Sequence, residues 1–190
     1  MKPTIELLVI GASAGGLKAL GYLFSLMDKR PSIPVLVAKH LGLDGDEGML
    51  EVLRRQSKHP VKLAMDKRQL KAGNIYLAPG GYHLQVEEKG VVSLSLDEPV
   101  CHVRPAIDVL FQSAASVYGE GVLAVILTGA NHDGAEGIST VKQYGGITVA
   151  EDPDTAEVGL MPQAAIKTGQ VDHIVSLAKM PAFLQTLLND

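Results

Sequence analysis

The feature that most constrains this chain is a set of short runs that are apolar at almost every position. They are Leu7-Leu8-Val9-Ile10, Pro34-Val35-Leu36-Val37-Ala38, Leu123-Ala124-Val125-Ile126-Leu127 and Ile147-Thr148-Val149-Ala150. A strand with one wet face alternates apolar and polar residues, so runs without alternation predict strands covered on both faces. Each run leads into a glycine-rich or polar turn. After the first come Gly11-Ala12-Ser13-Ala14-Gly15-Gly16, then Leu17, Leu20, Leu23 and Phe24 at helical spacing. After the second come Lys39-His40, then Met49, Leu50 and Leu53; after the third come Thr128-Gly129, then Ile138 and Val141. Alternating strands and helices predict an α/β fold with a doubly wound, mostly parallel sheet in three layers. The segment 74–97 breaks the rhythm: its turn signals, Gly80-Gly81 and Lys89-Gly90, predict an antiparallel β-meander of three strands. A helical pattern resumes between Cys101 and Tyr118, and short helices are expected around Ala164–Ile166 and Phe183–Leu188.

Length and composition fit this frame. The 190 residues suit one compact domain, 1–190, with 46% hydrophobic residues but only 4% aromatic, so the core is aliphatic. Net charge is −4 with no basic stripe, which argues against a nucleic-acid partner. The single cysteine, Cys101, cannot form an internal disulfide and fits a reducing compartment. Met1 to Glu6 lacks a signal-peptide layout, and the longest apolar stretch, Val122–Leu127, is far below the roughly 20 residues that span a bilayer. The expectation is a cytoplasmic protein without membrane insertion.

Ligands of open α/β sheets collect beyond the carboxyl ends of the strands. Three polar residues stand there: Ser13 after the first strand, His40 after the second and Asp133 after the strand 123–127. A serine hydroxyl is too weak an acid to attack an acyl carbon unaided. It needs an imidazole to take its proton and a carboxylate to hold the ring in the right tautomer. Each residue also has a plainer reading. Ser13 could cap the helix that starts near Gly15. Asp133-Gly134-Ala135-Glu136 fits a capping-box variant. A strand-end histidine is often structural.

Other motifs carry less. Gly11-Ala12-Ser13-Ala14-Gly15 matches G-x-S-x-G, but the α/β-hydrolase order is serine, acid, histidine, whereas here it is serine, histidine, aspartate. The same glycines miss the dinucleotide pattern, because Ser13 stands where its second glycine belongs. His40, Asp44 and Asp46, and likewise Asn131-His132-Asp133, include metal-ligand types without a specific metal spacing. Cys101-His102 reads as packing or chance, and His59, His83 and His173 as structural or solvated. Met49, Met65 and Met161 read as core filler.

Together these segments resemble the catalytic domain of chemotaxis protein-glutamate methylesterases, the CheB type. The resemblance rests on the Ser13 and His40 motifs and on Leu127-Thr128-Gly129-Ala130-Asn131-His132-Asp133-Gly134. It extends to Ile75-Tyr76-Leu77-Ala78-Pro79-Gly80, Arg104-Pro105-Ala106-Ile107-Asp108, Gly159-Leu160-Met161-Pro162 and the Gly169-x-Val171-Asp172 ending. It implies a Rossmann-like doubly wound domain that hydrolyses methyl esters on glutamate side chains of chemoreceptor helices and deamidates certain glutamines. The partner would be a methylated chemoreceptor or similar helical signalling protein, with no cofactor or metal. By motif, Ser13 would be the nucleophile, His40 the base and then acid, and Asp133 the orienting carboxylate. Backbone N–H groups must meet the oxyanion, and the candidates lie in two loops: Ala12, Ala14 and Gly15, and Gly129, Ala130 and Asn131.

The chain departs from the family pattern at four positions. Ala14 replaces a threonine, Ala130 a methionine, Asn131 a glycine and Lys39 a glutamine. Ala130 is expected to open or reshape the pocket, Asn131 to be tolerated if its turn needs positive φ, and Lys39 to set a positive charge near the base. These changes motivate a second expectation, a catalytically weak module of the same fold that docks on signalling proteins. Family members commonly carry an N-terminal receiver domain; here the first strand starts at once, so the expectation is either a free-standing catalytic domain or a piece of a longer protein, with Met1-Lys2-Pro3-Thr4 favouring the first.

Overall fold

The structure, a computed structural model, describes residues 4–28, 31–40 and 46–188. Strand β1 (Leu7–Ala12) leads to helix α1 (Gly16–Leu26), and β2 (Val35–Lys39) to α2 (Asp46–Gln56). Five short strands follow: β3 (Val61–Leu63), β4 (Arg68–Gln69), β5 (Ile75–Leu77), β6 (His83–Glu88) and β7 (Val91–Ser95). Then come α3 (Ile107–Tyr118), β8 (Val122–Ile126), α4 (Ala135–Gln143), β9 (Ile147–Glu151), α5 (Leu160–Lys167), β10 (His173–Val175) and α6 (Met180–Leu188). Seven of the strands form one sheet in the order β10-β9-β8-β1-β2-β5-β3, and every pairing in it is parallel.

The sheet is buried on both faces, as the unbroken apolar runs require. Leu7 and Val9 point to one face, where they meet Phe111 and Leu110 of α3. Leu8 and Ile10 point to the other, among Leu20 and Phe24 of α1. The period of two along β1 therefore divides one apolar run between two cores.

The antiparallel part differs in one respect from the expectation. The hairpin β6–β7 forms around Lys89-Gly90, with Gly90 at φ 83°. The strand 75–77 is not its third member, because it pairs in parallel with β2 and β3. The third antiparallel strand is β4, which pairs with β7. The helical pattern that starts at Cys101 also begins late: Cys101 and His102 have φ of 50° and 64°, and α3 starts at Ile107. Among the described residues, no helix is long and apolar enough to cross a membrane.

β1 lies between β8 and β2, with Gly11 level with both Ile126 and Ala38. The chain leaves β1 toward β2 on one side and returns as β8 on the other. Strands in register end together, so the residues just past β1, β2 and β8 share one edge.

Candidate active site

Ser13, His40 and Asp133 meet at that edge. The His40 Nδ1 atom is 2.9 Å from Ser13 Oγ, and its Nε2 atom is 2.6 Å from Asp133 Oδ2. The histidine side chain is 10% exposed and the aspartate fully buried. An ionised carboxylate only accepts, so Nε2 carries the ring proton and Nδ1 is left to accept from the serine. The backbone fixes both partners: Ser13 N–H donates to the Thr128 carbonyl at 2.9 Å and His40 N–H to the Ala12 carbonyl at 3.2 Å.

Ser13 does not cap α1. The N-cap is Gly15, at φ 76° and with no side-chain capping bond. A side chain at Gly15 would press on Glu157 Cβ at 2.9 Å and Thr128 Oγ1 at 3.1 Å, so this turn needs glycine on both counts. The Thr128 hydroxyl accepts the Val158 N–H at 2.8 Å and donates to the Ala14 carbonyl at 2.9 Å. The Thr128 N–H donates to the buried Glu151 carboxylate at 2.8 Å. Thr128 and Glu151 thus hold the serine loop from below, and the sequence reading passed over both.

Asp133 is a cap, but for a different helix. Its Oδ2 accepts the Ile107 N–H at 2.6 Å and its Oδ1 the Asp108 N–H at 2.9 Å, at the start of α3. Helix α4 is instead capped by Asp108, whose Oδ1 accepts the N–H groups of Gly134 at 2.9 Å and Gly137 at 2.7 Å. The two helices exchange caps. One signal for this stood in the sequence: the N-cap of α3 is Ala106, which has no capping group of its own.

The two carboxyls titrate in opposite directions. Burial pushes Asp133 up, but the His40 ring and the two α3 N–H groups outweigh it and hold the carboxyl below its usual range. Burial pushes Asp108 up to about 6; the Gly137 N–H pulls against this, while the neighbouring Asp133 charge adds to it.

The turn at Asn131 does not need positive φ. Among the described residues, positive φ outside glycine occurs at Lys67, Cys101 and His102, not at Asn131. Its side chain is engaged instead: Oδ1 accepts the Asp133 N–H at 3.1 Å, and Nδ2 lies 3.3 Å from His40 Nδ1. Of the six oxyanion candidates, Gly129 spends its N–H on the Val158 carbonyl at 2.9 Å, and a Cβ there would meet Met161 Cε at 2.4 Å. Its glycine serves packing. Ala12 is the last residue of β1; Ala14 and Gly15 line the cleft with Ser13, and Asn131 reaches the site through His40.

A cleft of about 660 Å³ opens in front of Ser13, flanked by Lys18, Lys39, Val52, Gln56 and Glu157. The Lys39 ammonium donates to the His40 carbonyl at 3.1 Å, and burial lowers its pKa.

The remaining residues fall into place more simply. Cys101 Sγ lies 3.6 Å from His132 Nε2. Burial and the charges of Asp133, Asp108 and Glu136 raise the Cys101 thiol, which keeps it protonated. Cys101, Asp108 and Asp133 offer ligand-type atoms within 4.8 Å of one another, but the Asp133 oxygens and Asp108 Oδ1 already accept hydrogen bonds from backbone N–H groups. Asp46 accepts the Gly80 N–H, while Asp44 lies outside the described residues. His59 and His83 are buried and hydrogen-bonded to backbone carbonyls, and His173 is exposed against Phe183. Met49 and Met161 fill the core, but Met65 is 55% exposed and does not.

The family described as CheB methylesterase matches residues 8–184. The chain belongs to the CheB methylesterase family. The crystal structure of the Thermotoga maritima CheB methylesterase catalytic domain superposes with a TM-score of 0.90 at 33% identity, covering 98% of both chains. A Clostridium acetobutylicum relative, named protein-glutamate methylesterase/protein-glutamine glutaminase, is 37% identical over 92% of this chain and 50% of its own length. A Leptospira interrogans relative, provisionally given the same name, is 41% identical over 92% of this chain and 91% of its own. CheB relatives thus include one nearly coextensive with this chain and one about twice its length.

Proposed function

We propose that the chain is a serine esterase that removes methyl groups from glutamate γ-methyl esters on a helical, chemoreceptor-like protein. The contact of His40 with Ser13 on one ring nitrogen and Asp133 on the other carries this reading. Family membership supplies the substrate class. Ser13 Oγ attacks the ester carbonyl while Nδ1 takes its proton. Asp133 steadies the imidazolium through Nε2. Backbone N–H groups of the 14–15 and 130–131 turns face the oxyanion, each worth about 3–4 kcal/mol in such sites. Methoxide leaves with the proton from Nδ1 as methanol. Water then enters, is deprotonated by the same nitrogen, and frees Ser13 and a glutamate carboxylate. The open cleft suits a helix laid across the sheet edge, and the exposed Lys18–Glu157 pair at 3.7 Å lies at its rim.

The test is methanol release from a helical peptide carrying a glutamate γ-methyl ester. The wild-type chain should release methanol and accept a fluorophosphonate label; Ser13→Ala should do neither. Full release by Ser13→Ala would overturn the reading, and a wild-type chain that neither labels nor turns over would favour the binding module.

A further inference from the structure

The names of CheB relatives pair two reactions, ester hydrolysis and glutamine deamidation. These differ only in the leaving group, which is methanol or ammonia. We infer that Asn131 is a specificity-determining residue that favours the ester over the amide; this rests on the function proposed above.

The orientation of the Asn131 carboxamide follows from its partners. Its oxygen must accept the Asp133 N–H, so its NH₂ group is the end that lies 3.3 Å from His40 Nδ1. Nδ1 is also the atom 2.9 Å from Ser13 Oγ, and hence the atom that carries the proton to the leaving group. A leaving atom must come within hydrogen-bond reach of Nδ1 to receive that proton. A ring nitrogen accepts on one side only, where its single lone pair points, so the Asn131 NH₂ and an atom that meets that lone pair are neighbours. The leaving atom therefore sits against the Asn131 NH₂.

Before attack, the one lone pair of Nδ1 takes the Ser13 O–H at 2.9 Å and is shared with the longer Asn131 N–H contact at 3.3 Å. Once Nδ1 has taken the serine proton it no longer accepts, and the Asn131 N–H needs another acceptor. The methoxy oxygen of an ester intermediate has two lone pairs. One takes the proton from Nδ1 as the C–O bond breaks, and the other accepts from Asn131. The nitrogen of a glutamine-derived intermediate has one lone pair, which the proton consumes as the C–N bond breaks. Its own N–H groups then face the N–H groups of Asn131. A site with a donor at this position suits the oxygen and opposes the nitrogen.

The experiment compares the wild-type chain with Asn131→Gly and Asn131→Ala. The substrates are a helical peptide with one glutamate γ-methyl ester and its twin with glutamine at that position. Methanol and ammonia release give kcat/KM for each. The ester-to-glutamine ratio should fall about tenfold in both variants, with the change in kcat rather than KM, because the contact forms only after attack. The fraction of folded protein cancels in the ratio, so a merely structural effect leaves it in place. A ratio within twofold of wild type in both variants would overturn the inference while leaving the proposed function standing. A wild-type chain that releases neither product would overturn both.

Discussion

Two aspartates at the starts of two neighbouring helices show what separates a capping carboxylate from one suited to catalysis. Asp133 and Asp108 are both buried, and each accepts two backbone N–H groups from the helix opposite. Their surroundings differ in the charged and ionisable groups nearby. Asp133 also faces the His40 ring, whereas Asp108 faces N–H dipoles and the charges of Asp133 and Glu136. The first is held below its usual range and the second rises to about 6. Two N–H groups do not offset the burial of a negative charge, but two N–H groups and an ionisable ring do.

The strongest way to break this comparison is Asp133→Asn. The Ile107 and Asp108 N–H groups go to different oxygens of Asp133, so the single oxygen of an asparagine can take only one of them in place, and its NH₂ would face a donor. If that NH₂ turns to His40 instead, the ring proton moves to Nδ1 and the base is lost. Activity should fall about 10⁴-fold, as it does when a triad aspartate elsewhere is amidated. Stability should fall by roughly 1–3 kcal/mol for the N–H left unpaired. Methanol release and urea denaturation measure the two effects. A variant within tenfold of wild-type activity would show that Asp133 only caps α3.

The edge where this chemistry sits was largely legible in the sequence, for a geometric reason. Parallel strands in register end together, so Ser13, His40 and Asp133 could be placed side by side from their positions after apolar runs. What escaped the sequence reading depends on contacts between distant segments. The Asp108 carboxylate reaches Gly134, 26 residues away, and nothing local marks that partner. Asn131 looked like a turn residue because its neighbours are turn residues, and its role lies in its side chain. Strand β5 was assigned to the wrong sheet because Gly80-Gly81 signals a turn without saying which strand follows on which side. The exposure of Met65 was likewise invisible, since a methionine after a short strand reads the same whether a groove or a core adjoins it.

A smaller effect sharpens the comparison from the other side. In Asp108→Asn the Oδ1 atom can still accept from Gly134 and Gly137, while the charge is removed. The folded state holds the Asp108 proton up to about pH 6, against 3.8 for an ordinary aspartate. Its stabilising effect is therefore complete below pH 3.8 and is lost as pH rises through 6. At pH 8 the variant should be more stable than wild type by roughly 1–3 kcal/mol, and near pH 4 the difference should vanish. Denaturant titrations at the two values check this. A gap of equal size at both would mean that the charge of Asp108 is not what its burial costs.

The smallest effect extends the rule to carboxylates away from the site. Glu151 is buried with one N–H partner, from Thr128, and burial raises it. Asp172 is pushed up by its partial burial, but Lys142 and the Thr148 N–H and hydroxyl outweigh this and hold it low. A basic side chain again marks the carboxylate that stays ionised. For Asp172 the lowered value means that its stabilisation is present above the ordinary carboxylate range and is lost as pH falls through the folded value. Asp172→Asn keeps an oxygen for Thr148 and loses only the charge pairing with Lys142, whose side chain is 40% exposed. The cost at pH 7 should be about 0.5–1 kcal/mol, should shrink in high salt, and should disappear in acid. Melting temperatures with and without 1 M salt would read it. A loss that salt does not reduce would assign the lowered Asp172 carboxyl to its threonine bonds, and the pairing with a basic side chain would then matter for Asp133 alone.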